Sequence, residues 1–262
     1  AGADIFVALL VALLVGALAG AFNGALVANT DIQPLVITLG TLFLFSGIAT
    51  GVAGSLGASG YEGISGLPRS FANIANGTLG PVPNPLLIVL AVAALLIVVL
   101  HQTRFGRALY LVGVNAEAAR FSAISVKAVI VLAYTLSGLG AGLAGALLTS
   151  YFSSARSDLG GDTLLPALTA VVLGGASIQG GSGTVLGTLL ASLVLGVLKQ
   201  GLLALGVTSD QSQVMIGLLL ISVVTIKSLV MFANRYRLNQ RALRLRDLSK
   251  GGGPALTSKP QA

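Results

Sequence analysis

Long apolar runs constrain this sequence more than any other feature. Seven stretches carry almost no charge, and charged residues make up only 9% of the chain. A helix of about 20 residues spans the hydrocarbon core of a bilayer, whereas a soluble protein of 262 residues could not bury so much apolar surface in one core. We therefore expect an all-α, polytopic membrane helical bundle with about seven spans. The predicted spans are Ile5–Ala28, Pro34–Gly54, Pro85–His101, Val126–Tyr151, Leu164–Ile178, Thr184–Leu205 and Gln213–Met231.

The fifth predicted span has the weakest pattern. It is short, carries Pro166 near its start and runs into the glycine-rich segment 174–183. It could be a tilted span or a broken helix that lines a cavity.

The basic residues predict the orientation of the chain. If the loop 102–125 is cytoplasmic and the spans alternate, twelve of the fifteen Lys and Arg residues fall in or beside two inner segments, and five of the eight acidic residues fall outside. The positive-inside rule expects this asymmetry, provided that the fifth segment crosses the membrane. We expect residues 1–231 to form the transmembrane domain and residues 232–262 to form a flexible, basic, cytoplasmic tail.

The same charge distribution bears on partners. The formal net charge is +7, but tryptophan is absent and no basic patch is interleaved with aromatic residues, so nucleic acid is not expected. The basic segments are expected to contact anionic lipid headgroups.

Glycines recur at spacings of four, which is typical of helices that pack closely in lipid. These pairs predict a compact bundle and no chemistry. They are Gly16, Gly20 and Gly24, then Gly47 and Gly51, Gly138 and Gly142, and Gly183 and Gly187.

The residue inventory argues against catalysis and against cofactors. There is no cysteine and only one histidine, His101, so neither a thiolate nor a multi-histidine metal site is expected. Asp158 and Asp162 form the one nearby acidic pair, which leaves a membrane enzyme as a remote rival. No carboxylate lies mid-span, which disfavours a second rival, an ion-coupled carrier that works alone. We expect no catalytic residue, metal or cofactor.

Neutral polar residues within the spans suit a path for an uncharged, hydroxyl-rich solute. Serine and threonine often bond only to their own helix, so each residue alone is weak support. The candidate path residues are Asn23, Thr38, Thr41, Phe45, Tyr134, Ser137 and Thr169.

The loop 102–125 contains a segment, Asn115–Ile124, that favours a short helix. Asn115 is placed as an N-cap, and Glu117 lies in the first turn. Such a helix could lie on the membrane surface or fit a groove on a partner protein.

Two ordered motifs carry a family resemblance. H-x-T-x-x-G-R begins at His101, and G-x-N-x-x-A-A-x-x-S-x-I begins at Gly113. Together they resemble the cytoplasmic coupling segment of bacterial ABC importer permeases of the ribose/xylose type. The stretches 33–41, 134–138 and 170–175 match the same family. The resemblance implies an ATPase-coupling element made by Gly113, Asn115, Glu117, Ala118, Ala119, Arg120 and Ile124.

Several expectations follow from the resemblance. The chain would be a permease subunit of the cell inner membrane, paired with a second permease, cytoplasmic ABC ATPases and an external solute-binding protein. The stretches 34–45, 60–64, 150–160 and 180–183 are most similar to permeases that import autoinducer-2, with ribose or rhamnose as alternative solutes. Family members carry about ten spans, and this chain opens at Ala1 without methionine, so about three further spans are expected before it.

Overall fold

The computed structural model describes residues 5–58 and 63–226, and these residues form a helical bundle with one small hairpin. The helices are α1 (Ile5–Asn29), α2 (Pro34–Ser55), α3 (Arg69–Asn76), α4 (Asn84–Gln102), α5 (Arg104–Val114), α6 (Ala116–Phe121), α7 (Val126–Phe152), α8 (Leu164–Leu173), α9 (Val185–Ala204) and α10 (Ser209–Ile226). A short antiparallel hairpin pairs β1 (Thr78–Leu79) with β2 (Val82–Pro83), and a single 3-10 turn covers Gly161–Thr163.

The architecture confirms a multi-pass, all-α membrane protein. Six described helices, α1, α2, α4, α7, α9 and α10, are long and apolar enough to cross a bilayer. Their ends lie within a few residues of the predicted spans. The predicted tail 232–262, the end of the seventh span and the residues 59–62 lie outside the described residues.

The fifth predicted span is shorter than expected, because α8 has only ten residues. Pro166 is tolerated in its first turn, and the helix ends at Gly174 and Gly175, the latter with φ +96°. A helix of ten residues is about 15 Å long, against about 30 Å for α9.

The packing of α8 on α9 shows which part of α9 lies beside each end of α8. A Cβ atom on Gly174 would lie 2.5 Å from the Cα of Thr188, so the end of α8 meets the first turn of α9. The start of α8 therefore lies about half-way along α9. The 3-10 turn Gly161–Thr163 leads directly into α8, and non-helical backbone follows α8.

The tightest helix pair is α1 with α7, and glycines make it possible. A Cβ atom on Gly20 would lie 3.0 Å from the Cα of Gly138, and one on Gly24 would lie 2.8 Å from the Cα of Val131. Gly47 and Gly51 of α2 have no described atom within 4 Å of such a Cβ position. The glycine motifs of α2 therefore have no partner helix among the described residues.

The helix α3 is tied to the end of α7 by a buried serine. Ser150 is fully buried, and its Oγ donates to the carbonyl of Phe71 at 2.7 Å and accepts from the amide of Ala75 at 3.0 Å. The side-chain amide of Asn76 also donates to the carbonyl of Ser150 at 3.1 Å. These bonds hold a small cap on the face of the bundle where α7 ends.

Candidate coupling site

One face of the bundle, which we call the basic face, lies where α4 ends and α7 begins. It is made by α5, α6 and the ends of these two helices. Its cationic side chains are Arg104, Arg107, Arg120 and Lys127. Lys127 also donates to the Oδ1 of Asn29 at 2.9 Å, which fastens the start of α7 to the end of α1.

The first sequence motif forms the sharp turn from α4 into α5. Thr103 is the N-cap of α5, and its Oγ1 accepts from the amide of Gly106 at 3.2 Å and donates to the carbonyl of Val99 at 2.5 Å. Gly106 is buried against the backbone of Leu100, and a Cβ there would overlap the carbonyl of Leu100. The motif therefore folds α5 back against α4.

The second motif builds both ends of α6. Asn115 is its N-cap, as predicted, and the Asn115 Oδ1 accepts from the amide of Ala118 at 3.0 Å. Glu117 lies in the first turn and Arg120 in the last, so each charge complements the helix dipole.

The end of α6 is closed by a Schellman motif. The amide of Ile124 donates to the carbonyl of Ala119 at 3.2 Å, and the amide of Ala123 donates to that of Arg120 at 3.1 Å. Ala123 has φ +57°, a left-handed conformation that usually favours glycine. Six helical residues are therefore fixed at both ends, and α6 is a short, rigid projection from the basic face.

Exposure separates the residues of α6 into two groups. Ala119 is only 4% exposed and packs into the chain, whereas Glu117, Ala118 and Arg120 face outward. Phe121 is 93% exposed. Sequence reasoning missed Phe121, although an aromatic residue in a polar loop beside a predicted short helix could have indicated it.

The seven candidate path residues do not converge on one cavity. The hydroxyls of Thr38, Thr41 and Thr169 bond to carbonyls of their own helices, at 3.0, 3.2 and 2.7 Å. Phe45 packs edge-on against Phe22, with ring centroids 6.2 Å apart.

The remaining three path residues lie on α1 and α7. Tyr134 packs at the contact with Gly24, Ser137 is exposed, and the buried Oδ1 of Asn23 has no hydrogen-bond partner in the described part of the chain. The role of all seven residues in a path stays a prediction.

Two cavities lie elsewhere in the bundle. A cavity of about 640 Å³ is lined mostly by apolar residues of α4, α7 and α9, together with residues 180–184 of the loop before α9, and it reaches Tyr110 and Gly113 of α5. A second cavity, of about 820 Å³, lies towards the face opposite to the basic face. It is bounded by Ile5–Ala12 of α1, the second half of α7, Arg156, the 3-10 turn and the start of α8.

The acidic pair of the opposite face does not form an acid–base site. Arg156 holds Asp158 in a two-point ion pair, with Nε 2.9 Å from Oδ1 and Nη2 2.5 Å from Oδ2. The hydrogen bond from Arg156 lowers the pKa of Asp158, with a smaller contribution in the same direction from the charge of the guanidinium. A general acid needs a raised pKa, so Asp158 is unsuited to that role.

Comparison with known proteins identifies the family. A family model described as "Branched-chain amino acid transport system / permease component" matches residues 1–224. The chain belongs to this family. The match covers every span-length helix described above except the last two residues of α10.

Individual relatives are similar over most of the chain. An autoinducer 2 import system permease protein LsrD from Klebsiella pneumoniae is 48% identical over 219 residues, which are 84% of this chain and 66% of the relative. LsrD from Yersinia enterocolitica is 48% identical over 204 residues, which are 78% of this chain and 62% of the relative. LsrD from Photorhabdus luminescens is 46% identical over 213 residues, 81% of this chain and 64% of the relative.

The chain thus spans slightly less than two thirds of the length of these relatives. No solved structure matches it.

Proposed function

We propose that the chain is a permease subunit of an ATP-driven ABC importer in the cell inner membrane. Its solute is autoinducer-2 or a similar small, sugar-like molecule, with ribose or rhamnose as alternatives. Relatives named as autoinducer 2 import permeases, 46 to 48% identical, support this solute class. The partners are cytoplasmic ATPases, a second permease and an external solute-binding protein.

One observation carries the ATPase-coupling part of the proposal. The helix α6 is closed at both ends and presents Phe121 almost fully to solvent beside α5, which carries Arg104 and Arg107. A rigid aromatic projection fits a groove on a partner protein, since buried aromatic residues dominate binding energies. In this proposal the basic face is cytoplasmic, and Glu117, Ala118, Arg120 and Phe121 contact the ATPase.

The other predicted coupling residues then act from within the permease. Asn115 and Ile124 fix the two ends of α6, Ala119 anchors it, and Gly113 supports it from α5. The seven polar or aromatic path residues would line the solute path together with the second permease.

The test replaces the exposed aromatic ring. In the intact permease assembled with its ATPase, partner permease and binding protein, we expect Phe121→Ala to weaken ATPase binding by about 30-fold, since truncating a central anchor costs about 2 kcal/mol. Uptake of autoinducer-2 into proteoliposomes should fall with it, while membrane insertion is unchanged.

The matched control is Phe43→Ala, because Phe43 is also a strongly exposed phenylalanine, 76% exposed, and lies on another helix, α2. It should leave ATPase binding unchanged. Unaltered ATPase binding in Phe121→Ala would contradict the docking role.

The ion-coupled carrier remains a separable alternative. It requires uptake that continues without ATPase and stops when the proton gradient is dissipated. The proposed importer requires the reverse dependence, so a protonophore and omission of ATP distinguish the two in the same vesicles.

A further inference from the structure

The loop between α8 and α9, residues 174–184, which we call the glycine turn, lies directly against α5. Tyr110 of α5 donates through its Oη to the carbonyl of Gly183 at 2.8 Å. The bond joins elements 73 residues apart in the chain, and neither the glycine motifs nor the coupling motif indicates it.

Next to this bond the two backbones touch. A Cβ atom on Gly113 would lie 2.9 Å from the Cα of Gly181, and one on Gly181 would lie 2.7 Å from the Cγ2 of Val114. No flexible side chain separates Gly113 from Gly181, so a displacement of one segment acts directly on the other.

The glycine turn is itself stiff. The amide of Ser177 donates to the carbonyl of Ser182 at 2.9 Å, and the amide of Gly180 donates to that of Ser177 at 3.1 Å. Gly174 and Gly187 hold the end of α8 on the first turn of α9 by close backbone contact. Helix α8, the turn and α9 therefore form one unit, the α8–α9 hairpin.

At this same end, α5 leads straight into α6. The amide of Asn115 donates to the carbonyl of Leu111 at 3.1 Å, which continues the hydrogen bonding of α5, while the Asn115 side chain caps α6. A force on α6 therefore reaches Gly113 within two residues.

We propose that Tyr110 and Gly113 transmit movement of α6 to the α8–α9 hairpin. This rests on the proposed function, in which an ATPase moves α6. The hairpin carries the half-length helix α8 beside the cavity of about 820 Å³. A tilt of the hairpin changes the floor of that cavity, so the contact links the ATPase to the opposite side of the bundle. Tyr110 and Gly113 are positioning residues, and neither needs to touch the solute.

Two variants with matched controls test the link. Tyr110→Phe removes only the hydroxyl, and Gly113→Ala pushes the two backbones apart. The control for the first variant is Tyr151→Phe, at an exposed tyrosine of α7. The control for the second is Gly196→Ala on α9, where no described atom lies within 4 Å of the Cβ position. We expect the amount of autoinducer-2 imported per ATP hydrolysed to fall about fivefold or more in the first two variants only.

Spin labels make the readout specific to transmission. The chain has no cysteine, so single labels can be placed at Ala116 on α6 and at Ile178 in the glycine turn, each paired with a label at Leu95 on α4. In the wild-type transporter both distances should change on nucleotide binding. In Tyr110→Phe the α6 distance should still change, while the change at the glycine turn is reduced or lost.

The outcomes separate the two hypotheses. If nucleotide binding changes the glycine-turn distance in both variants by as much as in the wild type, the link is overturned and the proposed function stays intact. If neither label pair responds to nucleotide in the wild type, the proposed function and the link both fail. Because Tyr110→Phe is a mild substitution, the test does not depend on the folding of Gly113→Ala.

Discussion

At the scale of single residues, most positions of the two motifs in the segment 101–124 fix the ends of helices and the turns between them. Thr103 and Asn115 cap helices, Gly106 permits a sharp turn, and Ile124 closes the Schellman motif. Caps depend on neighbours within four residues, so the sequence could predict the cap at Asn115. Exposure depends on the whole fold, and for this reason the sequence did not separate buried Ala119 from exposed Phe121.

Because Ala119 is buried, a substitution at this position is a poor test of ATPase docking. A bulky residue at this position would disturb the packing of α6 in the permease itself. Loss of uptake in such a variant would therefore not distinguish misfolding from uncoupling. Phe121, which has almost no contact with the rest of the described chain, separates the two effects.

The buried hydroxyl of Ser150 gives a prediction about stability. Ser150→Ala removes a bond to the carbonyl of Phe71 and leaves the buried amide of Ala75 without its acceptor. We expect a loss of about 1–3 kcal/mol in unfolding free energy, since an unsatisfied buried donor costs that much. Unfolding of the permease in detergent, followed by circular dichroism during titration with a denaturing detergent, measures it.

Ser137→Ala is the control for this change, because Ser137 is exposed on the same helix. Equal effects of the two substitutions would show that the α3 cap contributes nothing to stability.

At the scale of helices, identical glycine patterns have different outcomes. Gly20 and Gly138 meet at the α1–α7 contact, whereas Gly47 and Gly51 are open on α2. A small-residue spacing indicates that a helix face can pack closely, but the partner is set by tertiary structure. The sequence therefore predicted helix packing without predicting which helices pair.

This difference predicts opposite responses to the same substitution. Gly20→Ala places a methyl group against the backbone of Tyr134 and 3.0 Å from the Cα of Gly138. Forcing the α1–α7 pair apart should cost about 1–3 kcal/mol, which is typical of overpacking. Gly47→Ala meets no described atom within 4 Å and should be neutral or slightly stabilising.

Unfolding of the purified permease in mild detergent provides the measurement for both variants. A Gly20→Ala protein as stable as the wild type would mean that the α1–α7 contact adjusts without cost, contrary to this expectation.

At the scale of the whole molecule, the spans were the easiest feature to predict. Lipid demands helices of a certain length and hydrophobicity, and both quantities are local. Crossing by the fifth segment was expected from charge bias and stays a prediction. The sequence left a tilted span and a broken helix open for this segment, and the structure has a short helix, α8, that carries Pro166 in its first turn and ends at Gly174. The path residues were the hardest, because a path depends on side chains that converge from several helices. The orientation of the bundle stays a prediction.

From the short helix α8 and the turns that precede it, we predict that water enters the bundle from the face opposite to the basic face. Irregular backbone at membrane depth is tolerated only in protein or beside water, and the cavity of about 820 Å³ adjoins Leu159, Gly160 and Thr163. We expect backbone amides of 156–163 to exchange with deuterium many times faster than those of 141–149 on α7, which line the same cavity. Hydrogen exchange followed by mass spectrometry compares them, and equal protection would refute a wet cavity.

Such a cavity would change the dielectric barrier that a solute meets. Where water reaches the start of α8, the low-permittivity layer is reduced from the full bilayer core of about 30 Å to about 15 Å, the length of α8 itself. A hydroxyl-rich molecule would then keep its hydration over half of the crossing, and conformational change would need to carry it across only the remaining half.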